Sequence, residues 1–183
     1  MALVVSVNTK EYERPQEGIV LGVLADIADL GYIDGPYGSK PKYRYSWVID
    51  QKDSEGNYFV VSKTYTASLH EKSIMFQDIK EMKGAPPPVP YDVERLLGHV
   101  NLLVLKKETA TTGKYAGKDF VNIKAFLKAP AGSKLAIPAD YVREKDGGQF
   151  GRKKNNNQNQ QSRTAPAQQS APAPEVADED IPF

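Results

Sequence analysis

Residues 62–84 read SKTYTASLHEKSIMFQDIKEMKG, and within this stretch the spacing of the apolar side chains changes from two to three and four. On its upstream side, residues 58–66 (YFVVSKTYT) put Phe59, Val61 and Tyr65 on one parity, the pattern of a half-buried strand. Downstream, Ser68 and Glu71 stand three apart as a capping pair, and Ile74, Met75, Ile79 and Met82 follow as a helical stripe that stops at Gly84. A strand passing into a helix over about residues 69–83 is predicted, and the rest of the chain must accommodate that junction.

Working outward, residues 42–50 (KYRYSWVID) alternate, with Tyr43, Tyr45, Trp47 and Ile49 on one face and Lys42, Arg44, Ser46 and Val48 on the other. The intervening KDSEGN carries turn residues, so strands 2 and 3 form a hairpin. Residues 18–30 (GIVLGVLADIADL) fit helix and strand templates in parts, but Gly18, Gly22 and Gly31 favour a bent strand 1. After the helix, APPPVP forbids regular structure, a short helical turn is expected at 91–97, and strands follow at 99–107 and 119–127. Three strands, a helix and two strands is the order of the five-stranded oligonucleotide-binding (OB) barrel, whose helix lies between strands 3 and 4. The expected fold class is therefore mainly β, an OB-fold barrel followed by a disordered C-terminal tail; small barrels of other topology share the order.

Composition narrows the chemistry. The chain has 183 residues, no cysteine and two histidines, His70 and His99, so disulfides, thiolate metal sites and cysteine nucleophiles are excluded and no cofactor or metal is expected. Both histidines read as structural. No phosphate-loop, dinucleotide, zinc-protease or serine-hydrolase motif occurs, and the acids near strand ends form no paired-metal pattern, so no catalytic residue is assigned. No apolar run reaches the roughly 18 residues of a membrane span, and the first residues lack the features of a signal peptide, so the expected location is cytoplasmic. Net charge is +1, and the tail's four cations (Arg152, Lys153, Lys154, Arg163) cancel its four acids (Glu175, Asp178, Glu179, Asp180), leaving the body near neutral. Any nucleic-acid surface must then come from local segregation of charge.

Residues 147–174 are Gly, Asn, Gln, Ser, Ala and Pro almost without apolar side chains, the composition of a disordered linker with a root-mean-square span of roughly 30 Å. Beyond it, residues 175–183 end in DEDIPF. Three acids would suit a solvated tail, but Ile181 and Phe183, held extended by Pro182, would not. The expected organisation is a binding domain over 1–146, a linker over 147–174 and an acidic tip over 175–183. The tip reads as a ligand for an apolar pocket rimmed by Arg or Lys.

Single-stranded nucleic acid requires cations along its phosphates and flat rings for its bases. The loop between strands 1 and 2, GYIDGPYGSKPK, carries Tyr32, Tyr37, Lys40 and Lys42. Strand 2 adds Arg44, and strand 3 adds Ser62, Lys63 and Thr64. The loop between strands 4 and 5 and its approach carry Lys106, Lys107, Lys114, Tyr115 and Lys118. Tyr43, Tyr45 and Trp47 read as core or groove-floor rings, and Arg44, on the opposite parity, is the better contact; which parity faces outward is not determined by the pattern.

DEDIPF, at the end of its polar linker, is similar to the acidic tip of bacterial single-stranded DNA-binding proteins. The body resembles phage-encoded single-stranded DNA-binding proteins through GVLADIADLG, KYRYSWVID, YDVERLLG and above all residues 62–84. The likeness covers about residues 18–128 plus the tip. It implies a barrel that coats single-stranded DNA with little sequence preference during replication, recombination and repair in a bacterial host cell. It also implies a DNA surface of Arg44, Ser62, Lys63, Tyr65 and the two loops, and a tip (Asp178, Glu179, Asp180, Ile181, Pro182, Phe183) that docks replication, recombination and repair proteins. Self-association along DNA stays open. The competing reading is an adaptor whose barrel binds protein rather than DNA.

Overall fold

Why residues 18–30 fit two templates becomes plain once their neighbours are in place. In the computed structural model, which describes residues 13–149 and 151–153, β1 (Gly18–Gly35) lies at the centre of a five-stranded antiparallel sheet. It pairs with β2 (Gly38–Lys52) from Gly22 onward and with β4 (Val100–Thr109) from Gly18 to Val23. With β3 (Tyr58–Thr66) beside β2 and β5 (Asp119–Lys128) beside β4, the order is β3-β2-β1-β4-β5. Val20 and Val23 to Ala28 of β1 are buried, and a strand covered on both faces has no reason to alternate.

The bend in β1 falls at Ala25 rather than at Gly22. Leu24 pairs with Trp47 and Asp26 with Ser46, so Ala25 is the extra residue of a bulge. A one-residue slip sends the following side chains to the opposite face. Ile27 thereby enters the core with Leu24, and Asp26 stays out of it, on the face that carries Ser46. Gly22 has a different role, close approach: a Cβ there would lie 2.6 Å from Leu103 Cδ1, inside the packed core.

The inner face carries Tyr45, Trp47, Ile49, Val61, Tyr65, Leu103, Leu105, Ile123 and Phe126, with the Trp47 and Phe126 rings 5.2 Å apart. Helix α1 (Ile74–Lys83) covers it between the edge strands β3 and β5. Asp78 of the helix accepts from Tyr65 Oη of β3 at 2.8 Å, and Glu81 accepts from the Phe126 amide of β5 at 3.4 Å. Asn101 of β4 donates to the Met82 carbonyl at 3.0 Å. Although β3 and β5 approach each other, no strand pairing joins them among the described residues, so the sheet is not closed into a barrel. The helix and its carboxylates occupy the opening.

The helix also starts later than expected. Its cap is Ser73, whose Oγ accepts from the Phe76 amide, while Ser68 lies ahead of the helix, its Oγ accepting from the His70 amide at 3.3 Å and its carbonyl from Ser73 Oγ at 2.7 Å. Met75, Ile79 and Met82 are buried as expected, whereas Ile74 is exposed and Phe76 takes its place in the stripe. The tract expected as a loop after residue 30 is ribbon instead, for β1 and β2 continue to Gly35 and Gly38 around Pro36 and Tyr37. None of the described residues covers that ribbon, so no apolar period marked it as strand.

A segment that the strand pattern did not address, residues 129–149, crosses the outer face. Leu135 and Tyr141 pack on Val23, Ala25 and Val48 in a second apolar cluster. The chain then forms a small hairpin of β6 (Gly148–Gln149) and β7 (Arg152–Lys153), beyond the domain end expected at Asp146. No helix among the described residues is long and apolar enough to cross a membrane. Linker residues 154–174 and the tip lie outside the described residues.

Because Leu103 is fully buried and closely packed, adding a methyl at Gly22 forces it off its rotamer. Gly22→Ala is expected to destabilise the fold by about 1–3 kcal/mol, read as a lower urea midpoint in Trp47 fluorescence.

Candidate functional site

The outer face of β1, β2 and β3 is polar at its centre. Ser46 and Ser62 are cross-strand partners with hydroxyls 3.0 Å apart, and Asp26 lies beside Ser46 in the register. Asp26 is buried because residues 129–149 cover it. Arg143 Nε donates to Oδ1 at 2.9 Å and the Glu144 amide donates to Oδ2 at 2.7 Å. The Glu144 carboxylate in turn forms an ion pair with Arg44 of β2. Arg143 also reaches Glu94 at 3.2 Å, in the short helical turn Val93–Leu96, and Lys145 reaches it at 3.5 Å.

Within the cluster, Glu94, Arg143 and Tyr141 are displaced from their ordinary values. Glu94 is held below the usual carboxylate range by its hydrogen bond from Arg143 and then by Lys145. Arg143 is partly desolvated, which opposes its charge, but hydrogen bonds to Asp26 and Glu94 outweigh this and leave it above its ordinary value. Tyr141 beside them is pushed up to about 12, chiefly by burial and then by the nearby Asp26 charge.

Beyond this clamp, the sheet ends in two hairpins that carry exposed rings. On the β1–β2 ribbon Tyr37 is 88% and Tyr32 75% exposed, and the Lys40 ammonium lies 5.9 Å from the Tyr37 ring centre. On the β4–β5 hairpin Tyr115 is 51% exposed, with Lys114 and Lys118 at 5.8 and 5.6 Å from its centre. Phe120 meets Tyr115 edge-on at 5.9 Å, and Arg14 stands 5.7 Å over Phe120. A cleft beside this cluster is lined by Lys106, Glu108, residues 109–112, Phe120 and Asn122. By register the two hairpins leave from opposite ends of β1.

The sequence-predicted residues thus fall into separate groups. Tyr32, Tyr37 and Lys40 share one hairpin, and Lys106, Lys114, Tyr115 and Lys118 the other. Lys42, Arg44, Ser62 and Thr64 share the outer face of β2 and β3, with Arg44 engaged by Glu144. Lys107 pairs with Asp119 at 2.8 Å.

Lys63 and Tyr65 belong elsewhere: both are on the inner parity and both bind Asp78, and Lys63 also lies 5.5 Å from the Phe126 ring. Burial, and then the Asp78 charge, raises the Tyr65 hydroxyl well above its ordinary value. Strand alternation commits Lys63 and Tyr65 to the face of Val61.

The histidines serve local structure. His70 Nδ1 accepts from the Lys72 amide at 3.2 Å, and His99 Nδ1 stands 3.1 Å from Asn101 Oδ1. Among the described residues no group of three or more His, Asp or Glu side chains could hold a metal ion. Phe120, Arg14, Asp26 and Glu144 were missed by the sequence reading. Phe120 alone left a signal, as an aromatic at the very start of a predicted strand.

Tyr141 provides a pH test. Its pKa is raised in the fold, so above the ordinary value near 10 the unfolded chain loses that proton first. Stability contributed by the neutral hydroxyl is therefore complete below pH 10 and is lost as pH rises toward 12. Tyr141→Phe is expected to lessen the fall in urea midpoint between pH 9 and pH 11, and an unchanged slope would exclude this residue as its source. The chain matches no protein-family model, and no curated protein matches it.

Proposed function

We propose that this protein binds single-stranded DNA with little sequence preference and has no catalytic role. In this reading the open β-sheet with its helix is an OB-type barrel. The observation that carries the reading is the pairing of exposed tyrosines with lysine ammoniums on both hairpins. Unstacked bases have apolar faces that an exposed ring can cover, and an ammonium beside the ring meets the adjacent phosphate. The strand order, with β1 between β2 and β4 and a helix after β3, supports the reading as well.

The DNA surface then comprises Tyr32, Tyr37, Lys40 and Lys42 on one side and Lys106, Lys114, Tyr115, Lys118 and Phe120 on the other. Ser62 and Thr64 lie on the outer sheet face. Lys63 and Tyr65 act through the fold instead. The tip, Asp178 to Phe183, would recruit replication, recombination and repair proteins, and its acids would compete with DNA for the hairpin cations.

The decisive measurement is a titration of a labelled oligonucleotide with the full chain at two salt concentrations, followed by anisotropy. Trp47 is fully buried and cannot stack on a base, so its quenching is not the signal to follow. Affinity is expected to fall as salt rises, with a logarithmic slope of about 0.7 per phosphate contact. Tyr37→Ala and Tyr115→Ala are each expected to cost about 1–3 kcal/mol of binding while the urea midpoint holds. Lys63→Ala should lower the midpoint and leave the affinity of the folded protein intact. A flat titration at low salt would sink the proposal.

Removing Asp178 to Phe183 is expected to tighten DNA binding at low salt and to abolish capture of replication proteins. Capture that depends on the tip, without any DNA binding by the folded part, would favour the adaptor reading.

A further inference from the structure

At the hairpin end of β4 and β5 the outer parity of the sheet carries a ring, a carboxylate, an amide and a cation side by side. Glu108 pairs with Phe120 and Lys106 with Asn122 across the two strands, whereas Leu105 and Ile123, of the alternate parity, belong to the core. These four outer residues and residues 109–112 line a cleft of about 630 Å³, within the range of small-molecule sites. The Phe120 ring is 39% exposed, and Arg14, 5.7 Å over it, adds a cation for an adjoining phosphate.

A carboxylate is unexpected where a strand of phosphates is to lie, and this one is held in place. Glu108 Oε2 accepts from Asn122 Nδ2 at 2.6 Å, and Oε1 accepts from Lys124 Nζ at 2.5 Å. The hydrogen bond from Lys124, and then that from Asn122, hold Glu108 below the usual carboxylate range, so it is an ionised acceptor. Each carboxylate oxygen has two lone pairs, which leaves each able to take a further donor. Glu108 thus repels a phosphate and attracts N–H groups, while Lys106 in the same cleft attracts an acceptor.

We propose that this cleft takes one base of a bound strand and favours guanine. The inference rests on the single-stranded DNA reading and deepens it by naming the base and the residue that selects it. The pairing edge of guanine carries two adjacent donors, N1–H and the N2 amino group, beside the acceptor O6. Two donors match the two oxygens of Glu108, and O6 matches the Lys106 ammonium. Adenine and cytosine bring a single amino group to the carboxylate. Thymine brings one N3–H between two carbonyl oxygens that Glu108 repels. Phe120 supplies the wall against which the base stacks. One such position biases where the protein settles on a strand without preventing it from coating any sequence.

The test is an anisotropy competition with the full chain at low salt, using three oligonucleotides of equal length. One is all thymine, one carries isolated guanines among thymines, and one carries inosine, which lacks the N2 amino group, at the guanine positions. The guanine strand is expected to bind about fivefold more tightly than the thymine strand, the low end for one well-made carboxylate–base pair. Inosine is expected to lose most of that gain. Equal affinities for all three would overturn the inference and leave DNA binding in place. A full gain with inosine would overturn the match to the carboxylate. No binding of any strand would overturn the inference together with the reading beneath it.

Glu108→Gln keeps the shape of the side chain and removes its charge. Because the Glu108 side chain is 41% exposed and a surface ion pair contributes little to stability, this variant is expected to fold, with the urea midpoint of Trp47 emission as the check. It should bring the guanine and thymine affinities together. An undiminished guanine preference in the folded variant would overturn the assignment to this cleft, and the inosine comparison needs no variant at all.

Discussion

Asp78 is a buried acid at the join between helix and sheet. It lies on α1, faces the core and holds two groups of β3, the Lys63 ammonium and the Tyr65 hydroxyl. An isolated carboxylate in that position would be strongly destabilising, and removing either partner leaves the other exposed to that cost. The pairing fixes the helix against one edge of the sheet, while Glu81 and Asn101 fix it against β5 and β4. Together these bonds hold two edges close without a strand ladder between them. They also decide that the inner parity of β3 is structural, which leaves the outer face and the hairpins for any ligand.

The outer face is divided by what lies on it. Residues 129–149 cover one part through Leu135, Tyr141 and the Asp26 clamp, and the hairpins extend beyond it. Much of the sheet's positive charge is already matched: Arg44 with Glu144, Lys107 with Asp119, Lys124 with Glu108. Lys40, Lys114 and Lys118 lie over aromatic rings instead. A near-neutral chain can in this way present cationic spots without a basic surface, because pairing neutralises the sheet and spares the hairpins.

Where one face of an element is buried and the other wet, the sequence was legible. The nine residues of β3 were bounded as predicted, and β2, β4 and β5 were placed to within a few residues, since Trp47 and Tyr45 against Arg44 and Ser46 leave one reading. The uncovered ribbon around Tyr37 gave no period, and Ser68 resembled a cap because Glu71 stands three residues on, whereas no acid follows Ser73 in the first turn. The bulge at Ala25 left no mark, for alanine and aspartate carry no preference that would announce one. The Asp26 clamp was invisible because its partners lie more than a hundred residues away. In the candidate site, loop rings and lysines could be read from composition, whereas the inward turn of Lys63 and Tyr65 needed the register with the core, because alternation alone does not say which parity faces outward.

The two-residue turn at Pro36 and Tyr37 sets how the most exposed ring among the described residues is held. Gly35 and Gly38 are paired across it, and the backbone behind it is a ladder back to Asp34 and Ser39. A tyrosine on a floppy loop would have to be immobilised each time it captured a flat partner. On this ribbon much of the backbone's freedom was lost when the sheet formed, so a contact made by the ring would cost less entropy.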